Sequence, residues 1–586
     1  MILIVPYCEK GHGGGHLTRC IKLVKELRDM GREALLFIKN KNDYIDKLSK
    51  TMDFNNSWLI TDFFSLPKVE LIVFDRFKTP SDEFLRWKNI APIVGIDEGG
   101  KFRSRFTFLI DILIPRNFIK HPANICSPQL MVKGVTKKTT LKFDSEAIPN
   151  VLISFGQEDS AGLGVKAAGM LSAMKNKYPM NITLLRGALA AESKLPKDIS
   201  VIENIPNLAE HLHEYDLVIT HYGITAYEAL FAGTHTLLSH PGAYHKKLSK
   251  AAGFKTFSRK NITQIFKQGF SKNIETQGVP ENEHTTLGEL INSFSPIINY
   301  SCPVCNSENT YAIARFNDRT YRRCRRGGLI FMDRLIPVPI EYEKEYFFES
   351  YKKQYGKTYL EDFENIKKNG KNRLKIIGKI LQNENRDSGL PTLLDIGCAY
   401  GPFLDAARDE GYSVFGIDPA KDAVDYVKQK LGITAEQGLF PFSYSMLSDS
   451  QHYSVITLWY VMEHFTECKI ILNEIKRILK EGGLMAFSVP SFSGISGSTN
   501  LNKFLYESPA DHFTVWSPGI VRKVLSLAGF KVKRIIITGH HPERFPIFGK
   551  FANNKKSFLY FILLAISRIF KLGDTFEVYT VKKEDD

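Results

Sequence analysis

The sequence predicts an α/β chain built on doubly wound parallel sheets: two Rossmann-like lobes in the first half and a third Rossmann-like sheet towards the C-terminus. Three observations carry this. Apolar strand-length runs enter glycine-rich turns and then helix-period segments near residues 2–27, 151–164 and 393–404. Short apolar runs alternate with helical patterns along most of the chain, as βαβ units require. Acids close several of these runs, at Asp75, Asp97, Asp395 and Asp418, and carboxyl ends of parallel strands are where such folds place ligands.

A chain of 586 residues is too long for one core. With 43% hydrophobic and 12% aromatic residues it is a folded chain and not a disordered one. A formal net charge of +15 suits nucleic acid, an acidic membrane surface or phosphate-bearing sugar nucleotides, against the plainer reading of a basic solvated surface. No base-stacking motif stands out, so no nucleic-acid partner is expected. Eight cysteines, five of them scattered as Cys8, Cys20, Cys126, Cys398 and Cys468, do not make a disulfide framework. A reducing cytoplasmic setting is expected. The chain opens directly on an apolar strand, MILIV, with no positively charged leader segment before it. The apolar run 558–566 is far short of a bilayer span and is expected as a sheet-covering helix before a last strand at 575–581. Lys555, Lys556, Arg568 and Lys571 flank it, which leaves weak contact with a membrane surface open.

Taken in order, strand MILIVPY meets the loop GHGGGH at 11–16, and Leu17, Cys20, Ile21, Leu23, Val24 and Leu27 then recur at helical spacing. Strands follow at 33–38, 71–75 and 93–97, giving a lobe over 1–145. A second lobe over 146–270 begins with VLISFGQEDSAGLG and continues as strand, turn, helix, glycine, strand, loop and helix over 216–253. By itself the loop at Gly15 and His16 reads equally well as a βα turn with a capping histidine.

The segment GGGHLTRC, 13–20, resembles the N-terminal loop of PseG-type UDP-sugar hydrolases. Residues 216–253 resemble the donor-nucleotide segment that those enzymes share with the MurG-related glycosyltransferases. The resemblance implies a GT-B-like module that binds a sugar nucleotide. His16 would be its acid/base or water-positioning residue beside Gly15, and Gly156 would open the turn facing the diphosphate. Gly223, Thr225 and Glu228 would line the nucleotide, with Glu228 on the ribose hydroxyls. His221 and Tyr222 replace small residues before Gly223, and His245 and Lys246 stand where an Asn-Gln or Asp-Gln pair is common.

Residues 271–300 are polar and weakly patterned, a linker. Next come CPVC and YRRCRRGG, which place Cys302, Cys305 and Cys324 at three positions of a zinc ribbon, with Gly327 at the fourth. Residues 301–335 resemble the zinc knuckle that precedes some sugar methyltransferases, in degenerate form. The expectation is a ribbon that persists without metal, with zinc held by a water or outside ligand as the alternative. Residues 336–388 read as a helical cap in which Tyr351, Tyr355 and Tyr359 share one face if the helix survives Gly356.

The last segment, 389–586, opens with LLDIGCAYGPFL. Gly397 and Gly401 permit a tight turn against a ligand, and Asp418 ends the next strand in VFGIDP. The pattern resembles motif I of class I S-adenosylmethionine-dependent methyltransferases. That resemblance implies S-adenosylmethionine held by Asp395, Gly397, Cys398, Gly401 and Asp418. Leu439 or Phe440 would lie beside the adenine and Trp459 at the methyl end. It also implies a strand over 455–465, and a helix 467–480 capped by Gly482 and Gly483. His464 and His512 are the candidate bases or acceptor-orienting groups. The whole reads as a fused enzyme of surface-glycan or modified-sugar biosynthesis: methyl transfer to a sugar, plus a glycosyltransferase- or hydrolase-like module. The alternatives are a methyltransferase with a non-catalytic N-terminal scaffold, a nucleic-acid methyltransferase, and a cofactor-binding sensor.

Overall fold

The computed structural model describes the chain apart from residues 9–14, 40–44, 47–49, 51, 116–117, 133–134, 138–147, 157–158, 160, 188–189, 191–193, 204, 206, 269–285, 299, 337–350, 353–355, 383–389, 443–451 and 584–586. Most of the loop GHGGGH, much of the linker and cap, and Tyr355 lie outside the described residues. The chain divides into two compact units.

The first unit, Met1–Pro296 with two short later segments, holds two parallel sheets. In one, β1 (Ile2–Pro6), β2 (Ala34–Phe37), β3 (Leu59–Ile60), β4 (Leu71–Asp75), β5 (Ile93–Ile96), β6 (Phe108–Asp111) and β7 (Ile125–Cys126) run in the order β3-β2-β1-β4-β5-β6-β7. Strands β1, β4, β5 and β6 are buried throughout, which is why they read as unbroken apolar runs and not as alternation. The helix Gly15–Asp29 buries Leu17, Cys20, Ile21, Leu23, Val24 and Leu27, the six positions of its apolar periodicity. In the second sheet, β8 (Asn150–Ser154), β9 (Asn181–Leu185), β10 (Ser200–Ile202), β11 (Leu217–Thr220), β12 (His235–Leu238) and β13 (Lys255–Thr256) run in the order β10-β9-β8-β11-β12-β13. Each sheet reverses its winding beside its first strand, the switch point at which a ligand crevice opens.

The second unit contains a ribbon and a larger sheet. The ribbon strands β14 (Thr310–Arg315), β15 (Arg319–Cys324) and β16 (Ile330–Arg334) are joined at their edge by a strand from far along the chain. The larger sheet uses β17 (Thr392–Ile396), β18 (Ser413–Asp418), β19 (Thr434–Gln437), β20 (Tyr453–Trp459) and β21 (Leu479–Pro490). Then come β22 (Thr514–Val515), which joins the ribbon, and β23 (Phe530–Thr538) and β24 (Thr575–Lys582). The order is β19-β18-β17-β20-β21-β24-β23, parallel as far as β21, with β24 antiparallel to both of its neighbours.

Four local expectations are corrected here. The strand expected over 455–465 stops at Trp459, because Tyr460 takes φ 60° and a short turn, Met462–His464, follows. The helix expected over 467–480 is Cys468–Ile478, and Gly482 and Gly483 do not cap it. They lie inside β21, where pairing jumps from Tyr453↔Leu479 to Val455↔Leu484, so residues 480–483 loop out of the ladder around Gly482 at φ 68°. Gly356 takes φ 77° and Tyr359 sits in a turn before the helix Phe363–Gln382, so Tyr359 does not continue a helical face from Tyr351. The helix Phe558–Ile569 does not cover a sheet: it buries only Leu563 and Ser567 and leans on the turn Pro542–Arg544. No helix among the described residues is long and apolar enough to cross a membrane.

Candidate active site

In the second unit, β17 delivers Asp395 to the carboxyl edge, and residues 397–401 turn the chain into the helix Pro402–Asp409. The turn needs glycine twice. Gly397 and Gly401 take φ of 74° and 78°, and a Cβ on Gly397 would stand 2.4 Å from Val461 Cγ2. Asp418 braces this turn from the end of β18. Its Oδ2 accepts from Ala399 N at 2.8 Å and its Oδ1 from Ala420 N at 2.9 Å. Burial pushes the Asp418 carboxyl up to about 6, against the pull of those two N–H donors. Asp395 accepts a hydrogen bond from Thr457 Oγ1 at 2.6 Å, and burial pushes it up to about 7.

Around this cradle, Trp459 ends β20 with its ring 5.1 Å from that of Phe403 and the Arg373 guanidinium 4.0 Å above it. Its buried Nε1 has no hydrogen-bond partner among the described residues. The ring of Tyr359 meets that of Tyr351 edge-on and lies tilted against Tyr400, and its hydroxyl is raised first by burial and then by nearby groups that include Asp395 and Asp418. Leu439 is exposed on the loop after β19. Two residues expected at the cofactor are packed in the core. Phe440 is 4% exposed and sits in the hydrophobic core. The Cys398 thiol is likewise buried, against Leu404 and Val427 in the core behind the turn.

A second cluster stands at the same edge. Glu463 and His464 come from the turn after β20, and Asp511 and His512 from the loop before β22. His464 Nδ1 is 3.0 Å from Asp511 Oδ2, and the His464 and His512 rings meet edge to face at 4.8 Å. Glu463 is 1% exposed and its Oε2 lacks a hydrogen-bond partner among the described residues. Burial pushes it up to about 7. Burial alone would lower His464, but Asp511 and Glu463 outweigh it and the imidazole is raised. Asp511 had no signal beyond its place next to His512.

The ribbon gathers Cys302, Cys305 and Cys324 with their sulfurs within 4.8 Å of one another. Gly327 supplies a backbone N–H that donates to Cys324 Sγ at 3.3 Å, and an N–H cannot ligate a metal. Among the described residues the donor set is therefore one short of a structural zinc tetrahedron. Cys302 and Cys324 pack instead in the core with Leu329, Phe331 and Trp516.

In the first unit, the strand-end acids anchor an arginine. Arg19 Nε donates to Asp75 Oδ2 at 2.6 Å and Arg19 Nη1 to Asp97 Oδ2 at 2.7 Å, all three groups being buried. Burial alone would raise the Asp75 carboxyl, but the Arg19 guanidinium and His16 hold it well below the usual carboxylate range. His16 Nδ1 lies 2.7 Å from Asp75 Oδ1, with Gly15 beside it at the start of the helix Gly15–Asp29. Across the second sheet, Gly156 takes φ 77° and Gly223 is fully extended. His221 stacks on Phe155, and its ring lies 3.5 Å from the position a Cβ would take on Gly156 and 3.6 Å from that on Gly223. Burial, with a smaller contribution from His245, lowers it to about 4. Thr225 and Glu228 ride the helix Ile224–Phe231. Glu228 is buried, which raises its carboxyl, and lies 4.0 Å from Lys22 Nζ. His245 is half-buried and lowered by that burial.

Residues 360–535 match the family described as a methyltransferase domain. The protein MJ1062 of Methanocaldococcus jannaschii is 23% identical over 275 residues, 41% of this chain and 57% of that protein. The ubiquinone biosynthesis O-methyltransferase of Coxiella burnetii is 26% identical over 102 residues, 16% of this chain and 42% of that enzyme. The chain thus spans about half the length of these two relatives. Among solved structures, a S-adenosylmethionine-dependent methyltransferase of Archaeoglobus fulgidus is 14% identical with a TM-score of 0.28, covering 40% of this chain and 98% of that one. The magnesium protoporphyrin IX methyltransferase of Synechocystis, solved with S-adenosylhomocysteine, is 14% identical with a TM-score of 0.27, covering 41% of this chain and 98% of that one. Residues 360–535 thus carry a methyltransferase domain, for which S-adenosylmethionine is the expected cofactor. The residues fit that cofactor: a glycine turn with no room for a Cβ, two buried acids to accept from ribose and ammonium donors, and an indole N–H awaiting an acceptor.

Proposed function

We propose that the C-terminal domain transfers a methyl group to a hydroxyl of a sugar or glycan, and that the N-terminal unit binds a sugar nucleotide of the same pathway. The observation that carries the first part is the meeting of the cofactor cradle and the Glu463–His464–Asp511–His512 cluster at one sheet edge. S-adenosylmethionine supplies, when bound, a methyl group already activated on a sulfonium. The protein's share is to align an acceptor oxygen and take its proton. Asp418 accepts from ribose hydroxyls while it holds the turn by Ala399 N. Asp395 accepts from the ammonium end. Asp511 Oδ2 stands 3.0 Å from His464 Nδ1, and its charge favours a proton on that nitrogen, which leaves Nε2 as the lone pair a general base needs. His512 orients the acceptor against the His464 face.

Support for the N-terminal part is the pairing of His16 with Asp75 at the end of β4, and the raised, buried Glu228 near Lys22. His16 acts there as acid or base, in hydrolysis or glycosyl transfer, and Gly156, Gly223 and Thr225 border the nucleotide. A bare binding scaffold is the second reading, favoured by His221, whose ring stands beside both the Gly156 and Gly223 turns that would face a diphosphate. For the acceptor, a small-molecule phenol is the alternative, favoured by the ubiquinone O-methyltransferase relative. Incubation with labelled S-adenosylmethionine and a panel of UDP-, GDP- and CDP-sugars, read by product mass, tests these together. Label in a phenol and in no sugar would overturn the sugar reading. Turnover of a sugar nucleotide surviving His16→Ala would remove His16 from its role.

A further inference from the structure

The last hairpin of the methyltransferase sheet carries a long excursion. Strand β23 ends at Thr538 and β24 begins at Thr575. Thr575 pairs with both Thr538 and Pro490, the last residue of β21. Residues 539–574 therefore leave from the edge at which β17, β18 and β20 present Asp395, Asp418 and Trp459. The excursion is built and not loose. Asp574 accepts from Ser496 N at 2.9 Å and from Arg544 Nη1 at 2.8 Å, and Ser557 caps the helix Phe558–Ile569 by accepting from Tyr560 N.

Its outer face is apolar. Ile547 is 76% exposed, Phe551 74%, Phe558 81% and Ile569 73%, and Phe548, Phe561 and Phe570 are exposed beside them. Solitary exposed apolar side chains are ordinary, but this many within one short segment mark a contact surface. The charge pattern says which kind. Between Glu543 and Asp574 there is no acid, while Lys550, Lys555, Lys556, Arg568 and Lys571 all fall there. A second copy of the chain would set these cations against their own kind. An acidic bilayer offers acyl chains to the rings and phosphates to the lysines. The 12-residue helix is too short to span and would lie in the interface.

We propose that residues 539–574 dock the methyltransferase domain on an anionic lipid surface, which sets its cofactor edge at the membrane. The proposal stands whichever acceptor the domain methylates. The test is co-sedimentation of the full chain with phosphatidylcholine vesicles, with and without phosphatidylglycerol. The chain is expected to pellet with the phosphatidylglycerol vesicles. Phe558→Ser with Phe561→Ser should weaken that binding roughly tenfold or more, and Lys555→Glu with Lys556→Glu should remove the preference for the anionic lipid. These side chains are exposed, so circular dichroism should match the parent. A chain that stays in the supernatant, or variants that bind like the parent, would overturn the proposal. So would a dimer in sedimentation equilibrium that Phe558→Ser with Phe561→Ser dissociates, since the face would then belong to a second copy.

Discussion

Asp511 Oδ2 lies 3.0 Å from His464 Nδ1, which joins two segments 47 residues apart in sequence at the edge where the cofactor cradle opens. The charge of the carboxylate raises the proton affinity of the imidazole despite burial. Asp511→Asn should therefore lower kcat by about 10²–10⁴, the range typical of a general base that loses its partner, while S-adenosylmethionine affinity stays at the parent value. The pH profile gives the sign. The base form of His464 appears only above its raised pKa, so kcat rises with pH through a limb above the ordinary histidine value. Removing Asp511 takes away the cause of the rise, and the limb should move to lower pH. A limb that stays in place would assign the proton to another group.

Burial raises three carboxyls around the cofactor edge, Asp418 to about 6 and Asp395 and Glu463 to about 7. In the protein without cofactor each contributes most when protonated. Their contribution is full below the usual carboxylate range and is lost as pH rises through about 6 to 7. Thermal melts of the cofactor-free protein should accordingly fall over that window. If Asp418 takes its proposed role and accepts from ribose hydroxyls as a carboxylate, cofactor binding should run the other way, and affinity should increase as pH rises past about 6. Calorimetric titration on either side of this value checks the sign, and Asp418→Asn should flatten the dependence.

What the sequence made legible is what local chemistry enforces. The glycines of the 397–401 turn had to be where they are, since φ above zero and a missing Cβ leave few other residues. The buried strands were legible because parallel sheets covered on both faces read as plain apolar runs. Three features were not. Gly482 and Gly483 give the same signal in a looped-out ladder as at a helix end. Phe440 is as apolar in a core as beside a purine, and only the packing tells them apart. The partnership of Asp511 with His464 depends on a loop that crosses to join the ribbon at β22, and no residue spacing announces it.

In the first unit, Arg19 is 1% exposed between Asp75 and Asp97, while His16 is only part-buried on the same Asp75. These neighbours should separate structure from chemistry. Asp75→Ala strands a buried guanidinium and should cost about 3–5 kcal/mol, visible as a large drop in denaturant midpoint. His16→Ala leaves the Arg19 pair whole. It should change that midpoint little, yet abolish turnover of a sugar nucleotide and leave methyl transfer by the C-terminal domain intact.

The ribbon supplies the last test. Its three thiols converge, but Gly327 fills the fourth direction with an N–H donor, and Cys302 and Cys324 are packed among Leu329, Phe331 and Trp516. A structural zinc contributes folding energy outright where four ligands close on it, so chelation unfolds such domains. If apolar burial holds the ribbon without metal, chelation should do little. Overnight dialysis against a chelator should leave the melting temperature within a degree or so of the parent, with tightly bound zinc well below one per chain. Cys302→Ala removes only a small buried group and should cost about 1–2 kcal/mol as lost packing, with no added sensitivity to chelator. A chelator-induced drop of about ten degrees would mean that a fourth donor outside these three cysteines completes the site.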